Sequence, residues 1–314
     1  MAKPRIEEVF QMYLIDLLPR TKTPPKFRRF LYNDINPLSG TRKKRLIEAP
    51  NTSMRQLHKR LISHLRSLPA DLRFATGARP GANPARHVAR HRQNRYIYHL
   101  DLRDAYHTIN LNTLAEILLS LEGQLPLNTE VEMARTFLEN YCASCSGGLA
   151  VGAPASPDLF NIYASAVLDR VLAPVVARYG MTYTRYIDDL VFSAAEVIGE
   201  KKRSNIRSII ESAGFSISHR KTHVWDLMKG PVVVNGVGLE LGGRIFVPQQ
   251  FRWKTKKLLR KFLETGEGFS ELSGRMGVIS GIMREEPFDQ TFTRLVHTYR
   301  VARKAARRRK KQKG

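Results

Sequence analysis

The chain has 314 residues, 52 Lys and Arg against 28 Asp and Glu, a formal net charge of +24 and a pI near 10.4. Hydrophobic residues make up 42% of it, which excludes wholesale disorder, and the length predicts two lobes, or one domain with an appendage. The positive excess points to a polyanionic partner, nucleic acid first, but composition does not separate an enzyme from a basic ribosome-like protein.

In chain order, residues 1–35 read as one or two amphipathic helices broken at Pro19 and at Pro24-Pro25. This start carries Glu7, Glu8 and Asp16 and no small-residue cleavage site, so it reads neither as a signal peptide nor as a transit peptide. Residues 36–50 give turn residues and then a basic strand, RKKRLIEAP, ending at Pro50. Met54, Leu57, Leu61, Ile62, Leu65 and Leu68 recur at helical spacing and predict a basic helix over 52–68. A Gly/Pro loop and a basic helix-like stretch, ARHVARHRQNR, fill 74–95. RYIYHLDL (95–102) reads as a buried strand, with helices at 111–122 and 130–141.

The loop SGGLAVGAPASP (146–157) leads into an apolar helix over 158–178, and MTYTRYIDDLVFS (181–193) gives two short strands around an acidic turn. Residues 195–213 read as a helix, 214–225 as a strand and basic turn, and VVVNGVGLE with RIFVP as a further hairpin. From 249 onward the chain is helical and basic. Residues 303–313 hold eight Lys/Arg in eleven positions, a block that orders on meeting its polyanion. No apolar run approaches the roughly 18–20 residues of a membrane span. Cys142 and Cys145 read as reduced thiols of a cytosolic protein, not as a zinc or redox pair. The expectation is a cytoplasmic protein without a membrane partner: an α+β centre flanked by two nucleic-acid-gripping regions.

Carboxylates set among apolar residues in so basic a chain need a reason. Asp101 ends the strand YIYHLD, and Asp188 and Asp189 sit between the apolar strands of TYTRYIDDLVFS. Burying such charges is costly unless a cation neutralises them. Oxygen ligands select Mg²⁺, and two such ions roughly 3.5–4 Å apart activate an attacking hydroxyl and stabilise the oxygen that leaves. A solvated acidic turn is the alternative; bulky apolar residues on both sides weigh against it.

DLRDAYHTIN, GLAVGAPASPDLFN and YIDDLVFS, in this order, resemble three palm motifs of reverse transcriptases. RKKRLIEAP before a basic helix resembles the fingers of the bacterial enzymes, GFSISHRKT the late palm strand with its lysine, and VVVNGVGLE the primer-grip hairpin. The resemblance covers about residues 40–245. It implies a right-hand α+β polymerase: N-terminal helices and fingers over 1–95, a palm of antiparallel sheet plus helices over 96–245 (with a fingers part around 111–145), and a helical thumb with a basic tail over 246–314. It also implies that Asp101 and Asp188 hold two Mg²⁺ ions, with Asp189 in the same cluster and Leu102 adding a backbone carbonyl.

Further roles follow from the same resemblance. Tyr106 falls at the steric-gate position that favours dNTP over NTP. Gly152 and Ala153 lie in the loop that touches the incoming nucleotide. Arg45 clamps the triphosphate with help from Lys43 and Lys44, Leu102 and Arg103 are further dNTP contacts, and Lys221 is the general acid for pyrophosphate. Ala150 and Val151 stand where the family commonly has Pro-Gln before the glycine, and Ile187 makes YIDD of the commoner YADD.

Two segments look retron-like: Asn83-Pro84-Ala85-Arg86-His87 resembles Asn-Ala-x-x-His, and Val234-Asn235-Gly236 resembles Val-Thr-Gly. A retron enzyme copies one structured noncoding RNA, primes from a 2′-OH of that RNA and serves antiphage defence with an effector protein. Asn83, His87, Arg90, Trp253, Lys256 and Lys257 are the candidate RNA contacts, with Trp253 available either to stack or to pack. The tail adds salt-sensitive affinity. The chain's size leaves no room for an integrase or a separate RNase H domain. Competing readings are another defence-associated or group II intron-like reverse transcriptase, an RNA-templated RNA polymerase, and a catalytically silent RNA-binding scaffold, which only Val151 favours.

Overall fold

The computed structural model describes residues 23–35, 42–123, 127–286, 297–301 and 304. The helices expected over 1–22, and the tail apart from Lys304, lie outside the described residues. Strands β1 (Phe27–Ile35) and β2 (Arg42–Pro50) form an antiparallel hairpin in continuous register from Phe27↔Pro50 to Ile35↔Arg42. The helix expected to run to residue 35 is therefore corrected: Phe27–Ile35 is a strand. Pro24 and Pro25 bar a helix just before it, and β2 supplies a partner along all nine residues.

Helix α1 (Thr52–Leu65) starts at an Asn51 cap, whose side chain accepts from the Met54 N–H at 2.8 Å, and buries Met54, Leu57, Leu61 and Leu65. Short helix α2 (Pro84–Ala89) is capped in the same way by Asn83. Strand β3 (Tyr96–Arg103) is the centre of the main sheet, which runs β4-β5-β3-β6 with β7 also pairing β3. Its partners, all antiparallel, are β5 (Asp189–Ala194), β6 (Ser216–Ile217) and β7 (His223–Asp226), and β4 (Thr182–Tyr186) pairs β5.

Helices α3 (Leu111–Leu121), α4 (Asn128–Tyr141), α5 (Ser156–Ala164), α6 (Arg170–Arg178) and α7 (Glu200–Ser212) complete this layer. A π-helical turn, Ser165–Asp169, joins α5 to α6. Ser156–Arg178 as a whole is long and apolar enough to cross a membrane, which corrects the expectation that no run approaches that length. It lies in the core, where Leu159, Phe160, Leu168 and Leu172 are fully buried.

A second core joins α2 to a three-stranded sheet and the C-terminal helices. The sheet is β8 (Val232–Val234), β9 (Val237–Leu239) and β10 (Ile245–Phe246); the helices are α8 (Gln249–Thr265) and α9 (Phe269–Glu285). Ala85 and Val88 of α2 and Ile97 and Val191 of the main sheet share it with Val234, Leu259 and Ile279. The region read as fingers thus contributes to two cores: α1 packs on the main sheet, while α2 packs under the C-terminal helices.

Candidate active site

The acidic turn between β4 and β5 is held from three sides. Fully buried Arg185 donates from Nη2 to Asp169 Oδ2 at 2.8 Å, from Nε to Asp169 Oδ1 at 3.0 Å and from Nη1 to Asn161 Oδ1 at 2.9 Å. Asp169 is delivered by the π turn. The Leu102 N–H donates to the Asp188 carbonyl at 2.9 Å and fixes the turn on β3. Ile187, between them, has φ of 59°, a conformation that costs a β-branched residue about 1–3 kcal/mol. Gly77 closes on it: a Cβ there would stand 3.1 Å from the Ile187 backbone nitrogen.

Asp101 lies opposite Asp189 in the β3–β5 register. Asp101 and Asp188 line one cavity of about 370 Å³ with Leu102, Arg103, Tyr106, Lys44, Arg45, Val151 and Lys221. Burial, and then the Asp189 and Asp101 carboxylates, push Asp188 up to about 6, with the Lys221 charge opposing them, the response of a buried acid crowded by like charge. Lys221 Nζ sits 2.5 Å from Asp101 Oδ1. The turn that carries it is tied to β3 by the Ser218 N–H, which donates to the Asp101 carbonyl at 2.8 Å. The Tyr106 ring packs on Phe160 with centroids 5.3 Å apart, and its phenol is pushed up by burial and by the Asp188 charge.

Several expected residues stand elsewhere. Asp189 has both carboxylate oxygens engaged outside the cavity: His99 Nε2 lies 3.0 Å from its Oδ1, and Asn235 Nδ2 donates to its Oδ2 at 2.7 Å. Among the described residues no three His, Cys, Asp or Glu side chains group as a metal site; Asp189 nevertheless stands close enough to Asp188 to be the largest charge acting on it. Gly152 and Ala153 do not line the cavity; Val151 does. Gly152, at φ 105°, lies beneath it, where a Cβ would meet Ile47 Cγ2 at 3.0 Å, and Ala153 is buried. This loop is docked by the Glu48 N–H, which donates to the Val151 carbonyl at 2.8 Å, and by His58, whose Nδ1 accepts from the Ala155 N–H at 3.1 Å.

The RNA-contact expectations divide. His87 is corrected: it is fully buried, with Nδ1 2.8 Å from Thr76 Oγ1 and 3.0 Å from Thr184 Oγ1. The Asn83 side chain is used as the α2 cap, and α9 passes it at Gly281, where a Cβ would be 3.4 Å from Asn83 Cγ. Arg90 is exposed and lines a larger cleft of about 510 Å³, rimmed by Arg66, Arg79 and Arg86, that has no carboxylate pair. Lys256 and Lys257 are exposed on α8, and Trp253 is 62% exposed beside Lys257, so its packing alternative is overturned. Cys142 is buried, Cys145 is exposed, and both are free thiols.

Sequence reasoning gave no role to His99, Asp169 or Arg185. Strand alternation could have found His99, two residues before Asp101 and on its face. Arg185 carried no signal beyond being a charge inside an apolar strand.

One carboxylate on β3 and one in the adjoining β4–β5 turn, lining a basic cavity with an aromatic wall, make the arrangement of a polymerase palm. The family described as reverse transcriptase (RNA-dependent DNA polymerase) matches residues 33–257, and the chain belongs to that family. Its curated relatives include retron Mx65 reverse transcriptase of Myxococcus xanthus, 34% identical over 57% of this chain and 44% of the relative. Retron Ec86 reverse transcriptase of Escherichia coli is 27% identical over 57% and 53%. The matched part of the chain thus spans about half the length of these relatives. Two structures of apo telomerase from Candida tropicalis share the fold. One has a TM-score of 0.52 at 14% identity over 78% of this chain and 52% of that one; the other, truncated from the C-terminal domain, has 0.50 at 14% over 73% and 56%.

Proposed function

We propose that the chain is an RNA-directed DNA polymerase of retron type, with an N-terminal region and fingers over 1–95, palm over 96–245 (with a fingers part around 111–145), and thumb with basic tail over 246–314. The observation that carries the reading is the cavity itself: Asp101 and Asp188 line it together with Arg45, Tyr106 and Lys221. Asp101, Asp188 and the Leu102 carbonyl would hold divalent metal, Mg²⁺ by ligand type. The crowding that raises Asp188 fits a cation there. When bound, two such ions supply the positive charge that lets a primer hydroxyl attack and pyrophosphate leave.

The chain's own groups do the rest. Arg45, Lys44 and Arg103 draw the triphosphate into the cavity and orient it. The primer hydroxyl gives up its proton to solvent, and its oxygen forms a bond to the α-phosphorus as the bond to pyrophosphate breaks. Lys221, 2.5 Å from Asp101 in the free chain, gives its proton to the departing pyrophosphate. Tyr106 fills the space that a ribose 2′-OH would need.

The relatives' retron identity supports a finer reading: a structured noncoding RNA as template and primer, a start from one of its 2′-OH groups, a branched RNA–DNA product, and service in antiphage defence with an effector protein in the cytoplasm. The exposed basic side chains of α8 and the arginine-rimmed cleft suit such an RNA.

Purified protein, given an RNA template with an annealed primer, dNTPs and Mg²⁺, should extend the primer. Asp188→Asn should abolish extension by about a thousandfold or more. Normal extension by that variant would remove Asp188 from the site, and no extension by either would leave the silent scaffold. Sequencing the nucleic acid that copurifies should find a branch; an unbranched product excludes 2′-OH priming.

A further inference from the structure

Asn235 sits in the turn between β8 and β9 with φ of 47°, a left-handed conformation that Asn tolerates better than most residues. Its Nδ2 donates to Asp189 Oδ2 at 2.7 Å, while His99 Nε2 lies 3.0 Å from Asp189 Oδ1. One carboxylate therefore bridges the strand that carries Asp101 and the tip of a separate sheet. Asn235 Oδ1 is buried with no partner, a cost that a glycine in the turn would not carry. The Nδ2 contact is what the side chain contributes in return.

The rest of the hairpin's attachment is apolar: Val234 and Val237 pack with Ile97 and Val191. Apolar contact is non-directional, whereas a hydrogen bond to a carboxylate fixes distance and angle. We infer that Asn235 is a positioning residue. It locks the β8–β9 tip to Asp189 at the start of β5, and so sets where this hairpin, which resembles a primer grip, stands relative to Asp101 and Asp188. Asp189 thereby acts as an anchor between two sheets. The inference rests on the polymerase reading above.

The test uses the full chain and two readouts. In hydrogen exchange without substrate, Asn235→Ala should speed exchange of the 232–239 amides while the melting temperature stays put; unchanged exchange would overturn the anchor. In primer extension, Asn235→Ala and Asn235→Asp should each lower kcat by about tenfold or more and leave KM for dNTP within about twofold. The pair Asn235→Asp with Asp189→Asn exchanges donor and acceptor, and should run faster than Asn235→Asp alone. Unaltered kcat in Asn235→Ala, or no recovery in the exchanged pair, would overturn the positioning role. A wild-type chain that incorporates no nucleotide would sink the polymerase reading instead, and the exchange measurement would then decide the anchor by itself.

Discussion

Tyr106 is fixed where its ring matters. It leans on Phe160, itself fully buried, and borders the cavity that holds Asp101 and Asp188. A ring clamped in this way cannot swing aside for an extra hydroxyl, so it rejects by clash. Tyr106→Ala should raise the efficiency of NTP incorporation relative to dNTP by about tenfold or more, measured as the ratio of kcat/KM values; an unchanged ratio would mean that selection lies elsewhere. Asp101, Asp188, Tyr106 and Lys221 were legible as a site because each lies in a short local pattern. The engagement of Asp189 outside the cavity was not. It depends on His99, one strand away, and on Asn235, 46 residues further along the chain, and no local pattern encodes either contact. His87 misled for a related reason: its spacing matches a motif, while its burial depends on Thr76 and Thr184 from other elements.

At the scale of elements, the catalytic hairpin is braced by polar groups that burial makes costly to disturb. His91 lies between Ser193 on β5 and Thr184 on β4, with its ring nitrogens 2.7 Å from each hydroxyl. Burial, and then the Arg90 charge, lower it to about 3. Its ordinary value of 6.5 returns on unfolding, so between these values the unfolded chain binds more protons than the folded one. Stability is therefore complete above the unfolded value and is lost as pH falls, by about 2 kcal/mol at about pH 5. Urea unfolding across pH should find that His91→Asn removes that part of the acid loss; a variant with the wild-type slope would place the loss in other groups. Elements with a buried face were readable from sequence, and α1 and β3 follow the expected spans closely. Phe27–Ile35 was not: Phe30, Leu31 and Tyr32 are all exposed, so no core face imposes a period, and only pairing with β2 selects the strand.

Across the whole molecule, the charge of +24 is unevenly spent. Many arginines are occupied by internal partners, such as Arg185 with Asp169, Arg95 with Asp226 and Arg66 with Asp158. Lys256 and Lys257 on α8 are exposed, and Arg79 and Arg90 at the larger cleft donate to backbone carbonyls, which leaves their charge exposed. The acidic centre is small beside these surfaces: two carboxylates, one already met by Lys221. Attraction to RNA should then come chiefly from phosphate contacts and release of counterions, which makes it steeply salt-dependent. If about five phosphates of a single strand are neutralised, the slope of log K against log salt is about −3.5, and a fourfold rise in salt weakens binding about a hundredfold. Anisotropy titrations of a labelled RNA between roughly 50 and 200 mM salt should give this slope for the wild type, and one shallower by about 1.4 for Lys256→Ala with Lys257→Ala. A slope unmoved by the two substitutions would take α8 out of the RNA-binding surface and leave the arginine-rimmed cleft to account for it.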